Sequence, residues 1–352
     1  MPNVGAIQTI IVTGAAGFIG SQVARLLLQS GHRVVVYDAL TYSGRRENLT
    51  DLEEQGDYEF IEGSINDPSL LAPLLKTESP AAIINLAAET HVDRSIEGPA
   101  RFLETNVSGS QTLLNECLNY WRDLPEKARD QFRFVQVSTD EVYGSLETGA
   151  ATEESRFAPN SPYAASNAAA DHFIRAYTET YGLPTITTLG GNTYGPRQFP
   201  EKFIPRLLLR GLSGNSLPVY GSGTNVREWI SVEDHATGIL TALEKGTPGQ
   251  SYNIGCESGI SNLAVADMIC EILEIDPDVS IEFVEDRPGH DQRYAMDCSK
   301  ARTELGWEAS SDLALALPSV INWYQENPDW WRPILTEEYD LSRLGLIGQS
   351  ET

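Results

Sequence analysis

One segment near the N-terminus constrains this chain more than any other. Ile7–Thr13 is a short apolar run that reads as a buried strand, and Thr13-Gly14-Ala15-Ala16-Gly17-Phe18-Ile19-Gly20 follows it directly. Phe18–Ser30 then carries helical periodicity, with Gly31 as its stop. Arg33–Asp38 is the next apolar run, and it ends on a carboxylate. Strand, glycine turn, helix, strand and acid in this order make a dinucleotide-binding unit. Gly14, Gly17 and Gly20 permit a tight turn and close approach of backbone to a pyrophosphate. The helix beginning at Phe18 and Ile19 offers free N–H groups and the positive end of its dipole. Asp38, eighteen residues after Gly20, is placed to bind the hydroxyls of the adenosine ribose. A carboxylate there repels a 2′-phosphate, so the expected cofactor is NAD rather than NADP.

The pattern continues. Tyr58–Glu62, Ala82–Ala87 and Phe132–Ser138 read as further strands, with helical patterns at Leu70–Leu75 and Ala100–Tyr120 between them. Alternating strands and helices predict an α/β fold, a doubly wound parallel sheet of the Rossmann-like kind covered on both faces. The second half is less regular. Ser161-Pro162 is a helix start, with Ser as N-cap and Pro at the first helical position, and the helix runs to about Tyr181 before Gly182 and Pro184. Beyond residue 190 the chain is rich in Gly and Pro, which predicts loops that carry binding residues. Helical patterns near Val232–Leu243 and Asn262–Leu273 flank a strand at Ser251–Ile254. The last residues, beyond Trp330-Trp331, are expected to fray.

Composition narrows the partners. A length of 352 residues suits about two domains. Lys and Arg total 25 against 50 Asp and Glu, a net charge of −25, which argues against nucleic acid or an anionic membrane as a partner. No apolar run approaches the roughly 18 residues of a membrane span. The N-terminus lacks the features of a signal peptide. Cys117, Cys256, Cys270 and Cys298 are scattered without metal-ligand spacing and read as reduced thiols. A cytoplasmic protein without a metal is expected.

The chemistry is expected at the end of the strand Phe132–Ser138. Ser138-Thr139-Asp140-Glu141-Val142-Tyr143-Gly144 lies where ligands of open α/β sheets bind. Asp140 and Glu141 are adjacent carboxylates that can act as an acid and a base if their environments differ. Taken alone, such a pair in so acidic a chain reads as a solvated turn. Likewise Tyr163, in the first turn of the helix begun at Ser161, reads alone as packing. Their combination with the glycine turn and the strand end points to a site.

That combination resembles an extended short-chain dehydrogenase/reductase, and it is similar to the dTDP-glucose 4,6-dehydratase family over nearly the whole chain. The matching stretches include Ala87-Ala88-Glu89-Thr90-His91-Val92-Asp93-Arg94-Ser95, Ser138–Gly144, Ser161-Pro162-Tyr163 and Tyr194-Gly195-Pro196. Others are Phe199-Pro200-Glu201-Lys202, Pro218-Val219-Tyr220-Gly221, Val232-Glu233-Asp234-His235 and Arg287-Pro288-Gly289-His290-Asp291. The resemblance implies oxidation of a nucleotide sugar at C4, loss of water across C5 and C6, and reduction at C6, with NAD regenerated in each turnover. Tyr163 would take the proton of the 4-hydroxyl, Thr139 would hydrogen-bond that hydroxyl, Glu141 would remove the C5 proton and Asp140 would protonate the departing C6 hydroxyl. Ser64, Ile65, Leu86, Ala87, Ala88, Thr105, Thr193, Tyr163 and Asn167 would join the glycine turn and Asp38 around NAD. Thr90, Asn192, Lys202, Phe203, Pro218, Tyr220, Arg227, Asn262, Arg287 and His290 fall where the family holds its nucleotide sugar. The resemblance further implies an NAD domain of residues 1–188 with 230–255, and a smaller mixed α/β substrate domain of 189–229 with 256–345. It implies a homodimer, for which the helices at 100–120 and 161–181 are the candidates.

Three positions depart from the family pattern. Tyr163-Ala164-Ala165-Ser166-Asn167 stands in place of Tyr-x-x-x-Lys. Residues four apart share a helix face, so residue 167 should lie beside Tyr163, and asparagine brings no charge to lower the phenol's pKa. Gly63-Ser64-Ile65 stands where an Asp near the adenine is usual, and Thr193 where a second Asn is usual. A 4,6-dehydratase is the leading reading. An epimerase or 5,6-dehydratase of nucleotide sugars is the second, and a catalytically weakened sugar-nucleotide-binding protein, kept open by Asn167, is the third.

Overall fold

The computed structural model of the protein describes residues 7–337, 339–341 and 344. The expected fraying of the last residues concerns positions outside these. Seven strands form one parallel sheet: β1 (Thr9–Thr13), β2 (Arg33–Asp38), β3 (Tyr58–Glu62), β4 (Ala82–Asn85), β5 (Arg133–Thr139), β6 (Thr185–Gly190) and, later in the chain, Ser251–Ile254. Two short strands, β7 (Asn192–Tyr194) and β8 (Leu217–Tyr220), come next, then β9 (Val226–Ser231), with Ser251–Ile254 as β10, Gly259–Ser261 as β11 and Ile281–Val284 as β12. The large sheet runs β10-β6-β5-β4-β1-β2-β3, every neighbour parallel. The chain steps outward from β1 through β2 to β3, then returns to place β4 on the other side of β1. That reversal opens a crevice beyond the carboxyl ends of β1 and β4, the place where such sheets bind ligands.

The sheet is buried on both faces. Val34, Val35, Val36, Ile83, Ile84, Phe134 and Val135 are fully enclosed, which is why these strands read as continuous apolar runs. β1 is shorter than the apolar run suggests, because Ile7 lies outside it and is largely exposed. β6 is not evident from sequence: three of its six residues, Thr185, Thr187 and Thr188, are threonines, so a buried strand carries too many hydroxyls to stand out. The predicted helix over 100–120 spans a short helix at Pro99–Phe102, a π-helical stretch at Leu103–Gly109 and a regular helix at Ser110–Asp123. The helix Pro162–Tyr181 has the expected ends, with the Ser161 hydroxyl accepting from the Ala164 N–H and Gly182 at φ +75°.

A second apolar core lies under the smaller sheets, β11-β9-β7 and β12-β8. It joins Leu207, Leu208, Val219, Trp229, Val265, Ile269, Leu317 and Tyr324. The Gly- and Pro-rich stretch after residue 190 is not all loop. Phe203–Leu212 is a helix with Pro205 in its first turn, where a missing N–H has no intrahelical partner to lose. The helix Val232–Lys245 packs back on the first core through Ala236, Ile239 and Ala242. Ala301, Leu305 and Trp307 do the same, although residues 256–345 were expected to belong to the smaller domain.

Candidate active site

One continuous cleft runs along the crevice. Its first half is built by the glycine turn. Gly14 adopts φ +67°, and a Cβ on it would stand 2.6 Å from the Leu86 carbonyl carbon and the Ala87 nitrogen. A Cβ on Gly20 would stand 2.4 Å from the Gly14 oxygen, so the helix Phe18–Gln29 could not approach its turn with any side chain there. Gly17 is the N-cap of that helix and no side chain caps it. The first N–H groups therefore have no side-chain acceptor and face the cleft as an anion site. Asp38 braces the turn: its two oxygens accept from the Ala16 and Leu40 N–H groups at 2.8 Å each. Burial nevertheless pushes its carboxyl up from the ordinary range. This cradle fits a dinucleotide. Phe18, Ile19, Ser64, Ile65, Leu86, Ala87, Ala88, Thr105 and Thr193 line the same cleft.

The second half is polar. Thr139, Asp140, Glu141, Tyr163 and Asn167 line it together, brought in by the end of β5, the 3-10 turn Asp140–Tyr143 and the helix Pro162–Tyr181. The Thr139 hydroxyl reaches Asp140 Oδ1 at 3.2 Å and accepts from the Glu141 N–H at 3.3 Å. Asp140 Oδ2 is buried without a hydrogen-bond partner. Burial, with the neighbouring charge of Glu141, raises the Asp140 carboxyl well above the usual range. Burial raises Glu141 as well, but Arg287, Arg227 and Lys202 pull it back. The two carboxyls are adjacent in sequence and unequal in field. Tyr163 is raised by burial and by the Glu141 charge, while a hydrogen bond from Thr139 works the other way. Asn167 donates its amide to the Tyr163 carbonyl at 3.0 Å.

Thr90, Asn192, Lys202 and Phe203 also line the cleft. Lys202 Nζ donates to the Thr90 carbonyl at 2.7 Å, and burial lowers its pKa. Pro218, Tyr220, Arg227, Asn262, Arg287 and His290 lie outside the lining, although the charges of Arg287 and Arg227 act on Glu141 within it. Arg287 Nη1 and the Tyr220 hydroxyl converge on Asp93, each at 2.9 Å. The His290 ring meets Tyr220 edge-on and its Nδ1 lies 2.6 Å from Asp286. Arg227 stacks over Tyr294 at 4.3 Å and donates to the Asp291 carbonyl. The Tyr294 hydroxyl donates to Asp291 Oδ2 at 2.6 Å and lies 3.4 Å from Glu141 Oε2. Pro218 sits on β8, and Asn262 opens the helix Asn262–Leu273.

Arg197 and Trp330 carried no functional signal in sequence, and His235 carried one only as the last residue of the stretch Val232–His235 that matches the family. Arg197 lines it with φ +68°, and it and Lys202 are the two cations among the lining residues. Trp330 reaches the cleft from the C-terminal helix and donates to Asn48 Oδ1. His235 lies 2.7 Å from the Thr193 hydroxyl, and burial lowers its pKa to about 4. Each is brought in by tertiary packing. Among the described residues no group of His, Cys, Asp and Glu could hold a metal ion, and the four cysteines are free thiols.

Comparison with known proteins agrees with this geometry. The family model described as GDP-mannose 4,6 dehydratase matches residues 11–317. The chain is 47% identical to a dTDP-glucose 4,6-dehydratase of Xanthomonas campestris pv. campestris, over 96% of this chain and 99% of the relative. It is 44% identical to one of Escherichia coli at the same coverage. The solved structure of DesIV, a dTDP-glucose 4,6-dehydratase from Streptomyces venezuelae with NAD and TYD bound, superposes with a TM-score of 0.87. It is 43% identical, over 93% of this chain and 99% of that one.

Proposed function

Because this chain belongs to the dTDP-glucose 4,6-dehydratase family, we propose that Tyr163, Glu141 and Asp140 divide the proton work of the dehydration it catalyses. The protein is a hydro-lyase that converts dTDP-glucose to the 4-keto-6-deoxy sugar with NAD as cofactor. Bound NAD supplies the hydride acceptor for C4 and the hydride donor for C6. The glycine turn, the uncapped helix end and Asp38 would hold it.

The observation that carries the division of labour is the unequal field at the two adjacent carboxyls. Asp140 is buried, keeps one oxygen without a partner and sits beside the Glu141 charge, so it holds its proton. It is the group to protonate the departing C6 hydroxyl. Glu141 faces Arg287, Arg227 and Lys202 and is the more acidic of the two, so it is the group to remove the C5 proton. Tyr163, hydrogen-bonded to Thr139, takes the proton of the 4-hydroxyl. The family pattern has a lysine at position 167. With Asn167 there, no cation stands one turn from Tyr163, and turnover at neutral pH is slow for the family.

Lys202 and Arg287 are the cations that suit a nucleoside diphosphate, since charge-assisted hydrogen bonds are the strong ones; Asp93 holds Arg287 and Tyr220 in place beside them. Among the described residues, those up to 188 with 230–255 form the NAD domain, to which 301–307 add packing, and the rest from 189 onward form the nucleotide-sugar domain. The chain works as a homodimer in the cytoplasm. Leu103 and Phe173, exposed large side chains on the two candidate helices, support the dimer, and the four free thiols suit a reducing compartment.

The test is direct. Purified protein with NAD and dTDP-glucose should yield a product lighter by one water with a C4 ketone. An unchanged mass with inverted C4 would make it an epimerase, and no product from any nucleoside-diphosphate glucose would leave a binding protein.

A further inference from the structure

Asp171 is a buried acid with no part in the scheme above. It follows Asn167 by four residues and Tyr163 by eight, so the three form one stripe along the helix Pro162–Tyr181. Its Oδ2 accepts from the Ser138 hydroxyl at 2.6 Å, and Ser138 is the residue before Thr139 on β5. Its Oδ1 is buried with no hydrogen-bond partner. His172 points the other way, onto the ring of Phe157.

We propose that Asp171 is a positioning residue of the reaction: through Ser138 it holds the strand end that presents Thr139, and from the same helix stripe its negative charge adds to those that oppose ionisation of Tyr163. This rests on Tyr163 being the base of the proposed function. The surroundings favour a neutral acid. Burial pushes Asp171 up to about 7, the Ser138 hydrogen bond pulls the other way, and no basic side chain acts on it among the described residues. The titratable groups that feel it are Tyr163 on its own helix and Tyr143 from the 3-10 turn, both raised by its charge. Asp140 and Glu141, from the same turn, act on Tyr163 in the same direction. A further negative charge beside that of Glu141 would hold the phenol protonated, and Asn167 offers nothing to balance it. Below its titration the acid is neutral and leaves Tyr163 alone. Above it the anion opposes the ionisation that catalysis needs.

The experiment is a pair of measurements on Asp171→Asn, which keeps the shape and the acceptor for Ser138 but cannot ionise. First, 13C-labelled aspartate spectra of the protein without substrate, between pH 5 and 9, should contain a carboxyl, besides that of Asp140, that titrates near neutrality in the wild type and is missing in the variant. Second, the ratio of variant to wild-type kcat should be near one at pH 6 and rise above one as pH passes through the titration of Asp171. A ratio constant with pH, or an aspartate set that is fully ionised by pH 6, overturns the proposal. If that variant fails to fold, Ser138→Ala, which removes the hydroxyl that Asp171 accepts from, takes its place: it should shift the neutral-range aspartate titration and lower kcat, and a variant that leaves both unchanged overturns the proposal. Absence of turnover at every pH in the wild type would instead count against the dehydratase reading, and the spectra would still decide the charge state.

Discussion

Asn167 donates its side-chain amide to the backbone carbonyl of Tyr163 at 3.0 Å, one turn back along the helix they share. The bond ties the residue to its own helix and brings no charge to the phenol. A free tyrosine ionises near pH 10, and burial and the Glu141 charge raise this one further.

Asn167→Lys should therefore raise turnover at pH 7 by about tenfold or more, because a cation within one turn lowers a neighbouring acid by roughly one to three units. The rising limb of the rate profile should move to lower pH. A profile of kcat against pH for parent and variant checks this. An unmoved limb would mean that another group already lowers the Tyr163 pKa.

The two carboxyls should separate by isotope. Glu141→Gln should abolish deuterium exchange at C5 along with product formation. Asp140→Asn should slow water loss by roughly 10²–10⁴ while exchange at C5 persists, read by NMR of substrate recovered from D₂O. Equal loss of exchange in both variants would contradict the assignment of base and acid. The pH profile has a matching sign: activity falls at low pH as Glu141 protonates, above the ordinary glutamate range, and at high pH as Asp140 loses its proton.

Gly14→Ala tests the cradle. The substitution puts a Cβ into a left-handed backbone at φ +67° and 2.6 Å from the start of the segment after β4. It should cost about 2 kcal/mol or more. The purified variant should retain no NAD where the parent does, and its thermal midpoint should fall. Retention of NAD at the parent's level would place the cofactor elsewhere.

How far the sequence alone carries depends on whether a signal is local. The glycine turn, Asp38, and the ends of the helix Pro162–Tyr181 follow from neighbours in sequence, and the structure has them where the pattern put them. β6 is hidden because its three threonines face a fully buried environment, and the π-helical stretch Leu103–Gly109 because periodicity does not resolve the wider turn. Arg197, Trp330 and Asp171 are functional candidates only through distant partners. Trp330 reaches Asn48 across nearly the whole chain, and Asp171 meets Ser138 across a crossover. Nothing within a few residues of any of them distinguishes it from packing.

Glu228 carries a pH dependence of stability outside the reacting groups. It lies buried on β9, where its carboxylate accepts from the Met296 N–H at 3.2 Å. Burial outweighs that bond and pushes its pKa up to about 7, against about 4.3 in an unfolded chain. The folded protein therefore binds this proton more tightly than the unfolded one. Stability from this group is complete below the unfolded value and is lost as pH rises through the folded value. Glu228→Gln cannot ionise and escapes the loss. Between pH 5.5 and pH 8.5 the variant should gain roughly 1–2 kcal/mol on the parent, seen as a difference of a few degrees in Tm that opens with pH. A Tm difference independent of pH would mean that Glu228 is already ionised in the folded protein at pH 5.5, with Arg293, the nearby cation acting on it, holding it charged.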